Sequence, residues 1–293
     1  MKQGIVMGVY GARGYGFAVF NLAYSIKHFT PEIKITLFTE MQTISQIYKE
    51  DLTMFDNIIF LRDQDYKTDG MPSVAKLKHY VLKNSPYDET LYLDADTVCI
   101  SDVRTILKRL HEAQGTFFMC KQGTGGKGQE IHYDAWSKHE YAYPFFSLND
   151  DAVWTTTNSS WIYVKKSDQT TEILKTYEYF LNKRYPLMEL KNKWIAGQIP
   201  DELLWSGTIA NMKIDIGDFK PVYYGNTYDA MIEIEEKYQF ISYYGRIASG
   251  VNLVKPHVLD YIDRHMKVIY KKNGRNYTYP MQFSFSDKAL NSK

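Results

Sequence analysis

Over roughly the first hundred residues, short apolar runs alternate with amphipathic runs of helical spacing, the signature of βα units feeding one sheet. "GIVMGVY" reads as a first strand. "FAVFNLAYSIKHF" then sets Phe17, Phe20, Leu22, Tyr24 and Phe29 at three-to-four spacing, as a helix lying on a sheet face does. "KITLFTE" is the second strand, "ISQIYKEDL" a short helix and "NIIFLRD" the third strand. "VAKLKHYVLKN" carries Val74, Leu77 and Val81 on one helical side, and "TLYLDAD" is the fourth strand. All four strands are nearly continuously apolar, which fits strands covered on both faces. The expected class is therefore α/β, with a mostly parallel central sheet and helices on both faces.

Past this point the period loosens. "SDVRTILKRLHEAQG" reads as a helix with Ser101 as N-cap, and "TFFMC" and "SSWIYVKK" as two further strands. Between those strands lies a long segment from Lys121 to Asp151, glycine-rich and then aromatic, of the kind that forms lids and binding loops. "TTEILKTYEYFLNKR" and "DELLWSGTIANM" are helices. "KVIYKKNGRNYTY" reads as a hairpin turning at Asn273 and Gly274. The pattern is that of one domain over 1–293, with 1–219 as a ligand-binding core and 220–293 as a closing segment.

Composition excludes some partners. The chain of 293 residues carries 35 Lys and Arg against 34 Asp and Glu, a net charge of +1. No global field draws it to nucleic acid or anionic lipid. Cys99 and Cys120 sit in apolar stretches at a spacing that matches no zinc motif, so both read as buried free thiols of a reducing compartment. Glycines interrupt any signal-peptide core at the N-terminus, and no run approaches transmembrane length. A soluble, cytoplasmic protein is expected. Tyrosine, at 25 residues, suits stacking on sugars or bases as well as packing.

Two motifs carry chemistry. "GARGYG" places glycines at 11, 14 and 16, the reverse of the dinucleotide fingerprint, although Glu40 does follow the second strand. The reading preferred here is a loop after strand one, formed by Val9, Tyr10 and Gly11, whose backbone approaches a nucleotide while Tyr10 or Tyr15 stacks on a base. The second motif is Asp94 and Asp96 at the end of strand four. Carboxyl ends of parallel strands face the ligand crevice, and strand residues two apart share a face, with small Ala95 between them turned away. Two hard oxygen ligands suit Mn²⁺ or Mg²⁺ shared with substrate phosphates.

The ordered set of "AKLKHY", "YLDADT", "NSSWIYV" and "PDELLW" resembles GT-A glycosyltransferases, most of all the family 8 group of glycogenin-like and bacterial galactosyltransferase-like enzymes. The likeness runs from about Gly4 to Met212. It implies a nucleotide-diphospho-sugar transferase fold and a metal-dependent sugar transfer with retention, from a UDP-sugar held by Asp94, Ala95, Asp96 and Asn158. It places Lys76 against the phosphates or the sugar as a catalytic cation, Lys255 against the diphosphate once the C-terminal segment closes, and Asp201 and Glu202 beside the reacting sugar. The family's third metal ligand, the histidine of a late H-x-x-G-x-x-K-P-W run, has no direct counterpart in "YYGRIASGVNLVKPH", which keeps Lys255 and Pro256, and His257 is the candidate from a shifted register. Two other departures are Ser160 for a glycine and Glu202 for a glutamine.

The acceptor stays open among a saccharide, a protein, a lipid-linked sugar and a modified nucleic-acid base, and a homodimer is allowed. Gly123, Gly125, Gly126 and Gly128 would let the long segment open, with Tyr133, Trp136, Tyr141, Tyr143, Phe145 and Phe146 as stacking faces. Two rival functions keep the same fold: a nucleotidyltransferase that makes nucleotide sugars, and a non-catalytic nucleotide-sugar-binding module.

Overall fold

The computed structural model describes residues 2–11, 13–45, 47–126, 137, 139–183, 200–224, 231–243 and 256–277. In chain order the elements are β1 (Gln3–Val9), α1 (Arg13–Phe29), β2 (Lys34–Thr39), α2 (Met41–Ile44), β3 (Asn57–Phe60), α3 (Asp63–Tyr66), β4 (Lys67–Thr68), β5 (Met71–Pro72) and α4 (Val74–Lys83). Then follow β6 (Glu89–Leu93), β7 (Thr97–Cys99), α5 (Arg104–Glu112), β8 (Phe117–Gly125), α6 (His139–Phe145), β9 (Trp154–Lys165) and α7 (Asp168–Asn182). The last are α8 (Asp201–Met212), β10 (Val222–Tyr223), α9 (Met231–Lys237), β11 (Phe240–Ser242) and α10 (Pro256–Lys272). The fold is mixed α/β with a mostly parallel six-stranded sheet, the class the strand pattern predicts.

The chain forms two compact units, each drawn from separate stretches. One comprises Gly4–Phe60, Leu93–Glu112 and Lys220–Lys293. Its strands run β3-β2-β1, all parallel, and Val9 pairs with Thr39, so the loop after β1 and the residue after β2 leave the sheet side by side. Ile5, Val6, Met7, Ile35, Leu37 and Phe38 are wholly buried, which is why these runs lack polar alternation. Val19, Phe20, Leu22, Ala23 and Ile26 of α1 are buried as well. A second small sheet has the order β10-β11-β7, with β11 antiparallel to β7.

Three local expectations are corrected in this unit. "ISQIYKEDL" is not one helix: α2 stops at Ile44 and a 3₁₀ turn covers Lys49–Met54, where buried Asp51 pairs with Arg275. Ser101 is not an N-cap, because its hydroxyl donates to the Tyr238 carbonyl; the Asp102 carboxylate takes the Arg104 amide at 2.9 Å instead. The expected hairpin is a helix. Val258, Leu259, Ile262, Met266, Ile269 and Tyr270 recur at helical spacing and are all buried. Gly274, at φ 66°, is the left-handed residue that ends α10, where the Arg275 amide returns to the Tyr270 carbonyl. An Asn-Gly pair serves a helix end as readily as a type I′ turn.

The other unit comprises Met1–Gln3, Leu61–Tyr92 and Ala113–Phe219. Its strands run β6-β9-β8, and β8 is antiparallel to β9. Met119 pairs with Ile162 but Cys120 pairs with Asn158, so Ser159, Ser160 and Trp161 bulge from the ladder. Trp205 of α8 stacks on Tyr177 of α7 at 3.9 Å and packs against Phe117 of β8. Phe146 lies against Phe180 and Trp154, so close to α8 that a Cβ on Gly207 would meet its ring at 2.2 Å.

Three rings of the expected stacking platform between the two strands are also corrected, while Tyr141 stays half-buried. β8 extends to Gly125 and α6 follows, with Tyr143, Phe145 and Phe146 buried as core of this unit, their apolar area being worth more inside than as an open face. Tyr133, Trp136 and Gly128 lie outside the described residues.

Candidate functional site

In the first unit the carboxylate pair belongs to a turn. β6 stops at Leu93 and β7 starts at Thr97, so Asp94, Ala95 and Asp96 form the link, and the shared strand face expected for the two aspartates is not their geometry. Both side chains are half-buried, while Ala95 is buried. The turn is pinned from β11: the Tyr243 amide donates to the Asp96 carbonyl at 2.9 Å, the Ser242 hydroxyl to the same oxygen at 3.3 Å, and the Tyr243 hydroxyl to the Ala95 carbonyl at 3.4 Å. The Ala95 and Asp96 carbonyls of this turn are thus taken up by the protein, while both carboxylate side chains stay partly exposed.

Tyr243 also reports what surrounds Asp96. Burial raises its phenol well above the ordinary range, and the Asp96 charge and the phenols of Tyr277 and Tyr15 add to that. The structure therefore brings Tyr15 and Asp96, one from each sequence motif, to the same tyrosine. Neither Tyr243 nor Tyr277 was visible as a site residue, since nothing local in "FISYY" or "GRNYTY" marks them.

The loop after β1 is held by Glu40. The Gly11 amide donates to Glu40 Oε1 at 2.8 Å, with Thr43 Oγ1 on the same oxygen at 3.3 Å. Gly11 adopts φ 81°, a conformation other residues resist, and a Cβ there would meet nothing, so the glycine is required by its backbone rather than by crowding. Val9 is buried in β1, and Tyr10 and Tyr15 are half-buried at the edge of this loop.

The residues present fit a hard divalent ion in donor chemistry, two half-exposed carboxylates one residue apart, but among the described residues no three of His, Cys, Asp and Glu are grouped to hold one. His257, second residue of α10 and half-buried, does not complete such a set. Lys255 lies outside the described residues.

In the other unit a second cluster forms where α4, β9 and α8 meet. Lys76 is not part of it: its ammonium donates to the Lys67 carbonyl at 2.7 Å, tying α4 to β4. Lys78, two residues on and so turned away from Lys76 on the helix, is the lysine that meets a candidate carboxylate. Its ammonium lies 2.9 Å from Asp201 Oδ2 and donates to Ser159 Oγ at 2.9 Å and to the Ser159 carbonyl at 3.1 Å. The Ser159 hydroxyl donates to Asp201 Oδ2 at 2.6 Å.

Asp201 is the first residue of α8, where the helix N-terminus favours an anion. Burial pushes its carboxyl up, but the Lys78 charge, the Ser159 hydroxyl and its own amide outweigh this and leave it below the ordinary carboxylate range. Glu202 is half-buried, and its carbonyl accepts from Thr157 Oγ1 at 3.3 Å. The Thr157 amide donates to Ser206 Oγ at 3.1 Å, which completes the seam between β9 and α8. Asn158 turns its Oδ1 back to the Ser160 amide at 2.9 Å, shaping the bulge. Lys78 and Ser159 went unrecognised in the sequence because a helical lysine and a strand serine are ordinary until the fold buries them together.

No family model matches the chain, and no curated protein does. Solved structures do match. The chain resembles the apo structure of WbbM, a bifunctional glycosyltransferase, with a TM-score of 0.54 and 14% identity over 92% of this chain and 51% of that one. It resembles the apo-form glycosyltransferase GlyE of Streptococcus pneumoniae TIGR4, with a TM-score of 0.53 and 13% identity over 93% of this chain and 63% of that one. Another GlyE structure gives a TM-score of 0.52 at 13% identity, over 96% and 66%. The chain thus shares its fold with glycosyltransferases while spanning about half the length of WbbM and about two thirds of GlyE.

Proposed function

We propose that the protein is a GT-A glycosyltransferase that moves a sugar from a UDP-sugar to a hydroxyl-bearing acceptor, with retention. The observation that carries this reading is the Asp94–Asp96 turn, two displayed carboxylates on a main chain clamped by Tyr243, in a fold shared with enzymes of that class. Retention and the UDP carrier come from the family resemblance of the ordered motifs.

Asp94 and Asp96 would hold Mn²⁺ or Mg²⁺, which when bound supplies positive charge to a departing diphosphate. The chain's own residues do the remaining work. The Gly11 turn, fixed by Glu40, gives the backbone a set path beside the nucleotide, and Tyr10 and Tyr15 supply ring faces for its base. Asp201 accepts from sugar hydroxyls and offers negative charge to a ring that becomes cationic as the anomeric bond breaks. Glu202 and Asn158 are assigned to the sugar by their motifs, and Lys76 and Lys255 to the diphosphate.

The test is Mn²⁺-dependent binding of UDP, followed by turnover of UDP-sugars with and without simple saccharide acceptors. Binding without any turnover would favour a nucleotide-sugar-binding module, and release of pyrophosphate from a nucleoside triphosphate and a sugar phosphate would favour a nucleotidyltransferase.

A further inference from the structure

Lys78 is a lysine taken almost wholly out of water, its side chain 4% exposed, against 15% for Asp201. Burying an ammonium is expensive unless every donor is met. Here, among the described residues, its three N–H donors find the Ser159 carbonyl, the Ser159 hydroxyl and Asp201 Oδ2 as acceptors. The ammonium also faces the Tyr92 ring, 5.5 Å from its centroid. Ser159 can offer both its oxygens because the bulge takes it out of the β8 ladder.

The carboxylate is treated unequally. Oδ2 receives both Lys78 and the Ser159 hydroxyl, and among the described residues no further side-chain donor reaches Asp201. Among the described residues, the buried Tyr177 phenol of α7 also feels this carboxylate but donates to the Ala75 carbonyl, and Glu202 follows Asp201 on α8. The Asp201 amide also acts on the carboxylate, and the side chain keeps 15% of its surface exposed.

We propose that Lys78 is the positioning residue of this site: with Ser159 it fastens Asp201 Oδ2, so that Oδ1 is presented in one orientation as an acceptor for a ligand hydroxyl. Lys78 itself touches no ligand. The identity of that ligand as the donor sugar rests on the glycosyltransferase reading, whereas the fastening of Asp201 does not.

The experiment compares wild type with Lys78→Met, Lys78→Arg and Ser159→Ala in two measurements. The first is a pH titration of the Asp201 carboxyl by carbon NMR of ¹³C-aspartate-labelled full chain, the resonance being assigned with Asp201→Asn. Asp201 is expected to titrate below the ordinary range in wild type and above it in Lys78→Met, with Lys78→Arg between them. The second is Mn²⁺-dependent turnover of UDP-glucose and UDP-galactose. In Lys78→Met, kcat should fall about tenfold or more, the effect of losing a hydrogen bond to a charged group, and should recover partly as pH rises.

An Asp201 titration that is the same in wild type and Lys78→Met overturns the proposal whatever the turnover shows. A shifted titration with unchanged kcat and KM in an active enzyme overturns the positioning role. A shifted titration in a protein that neither binds UDP nor turns over either sugar nucleotide sustains the fastening and sinks the functional reading instead. Should Lys78→Met fail to fold, Lys78→Arg and Ser159→Ala decide by the same two measurements.

Discussion

The Tyr243 amide donates to the Asp96 carbonyl at 2.9 Å while the Tyr243 hydroxyl donates to the Ala95 carbonyl at 3.4 Å, so one residue of the chain after β11 grips two successive peptide groups of the carboxylate turn. Tyr243→Phe keeps the amide bond and the ring and deletes only the hydroxyl. The expected loss is about 1 kcal/mol, the net worth of a buried neutral hydrogen bond, read by urea unfolding. A loss near zero would show that this grip adds nothing to the turn.

Glu40 acts on the other motif. Glu40→Ala leaves the Gly11 amide without its acceptor and Thr43 with only the Gly11 carbonyl, and should cost about 1–2 kcal/mol, whereas Glu40→Gln keeps an acceptor oxygen and should cost less. UDP affinity measured on both variants should fall in the same order. Equal behaviour of the two would mean that the loop does not depend on this bond.

Gly207 offers a packing test away from the carboxylates. An added methyl would meet the Phe146 ring at 2.2 Å, and that ring is hemmed in by Phe180 and Trp154. Gly207→Ala should destabilise by about 1–3 kcal/mol despite alanine's better helix propensity, because overpacking outweighs the roughly 1 kcal/mol propensity gain. A Tm equal to or above wild type would contradict this packing.

Asp102 sets an acid limit. The Arg104 side chain first, then the Arg104 amide and Thr30, hold its carboxyl down at about 2 against burial, from an ordinary value of 3.8. A lowered folded-state value contributes stability above the unfolded value and loses it as pH falls through the folded one. Stability should therefore decline between pH 3.8 and about 2. Asp102→Asn should flatten that part of the profile, modestly, since the group is solvent-screened. An unchanged slope in the variant would remove Asp102 from the acid transition.

The core strands and most helices were legible because their signals are local. The "IVM" and "ITLFT" runs are buried on both sides, and "DELLWSGTIANM" is α8 residue for residue. What failed turned on a distant partner in one case and on a signal that serves two structures in the other. Ser101 looked like a cap, but the Tyr238 carbonyl claims its hydroxyl; Asn273-Gly274 looked like a hairpin turn, but the apolar spacing before it belonged to α10.

The site divides in the same way. Asp94, Asp96 and Asp201 stood out as carboxylates in motifs, whereas Lys78, Ser159 and Tyr243 acquire meaning only through burial and contact. Lys76 drew attention by motif, yet its ammonium goes to a main-chain carbonyl.

The most direct measurement is calorimetric titration of the full chain with UDP in the presence of Mn²⁺ and again with a chelator, on wild type, Asp94→Asn and Asp96→Asn. The account predicts binding to wild type that the chelator abolishes, lost in both variants while their melting temperatures stay close to wild type, since both side chains are half-exposed. Metal-independent binding, or full Mn²⁺-dependent binding in either variant, would contradict the assignment of the carboxylate turn and the function built on it.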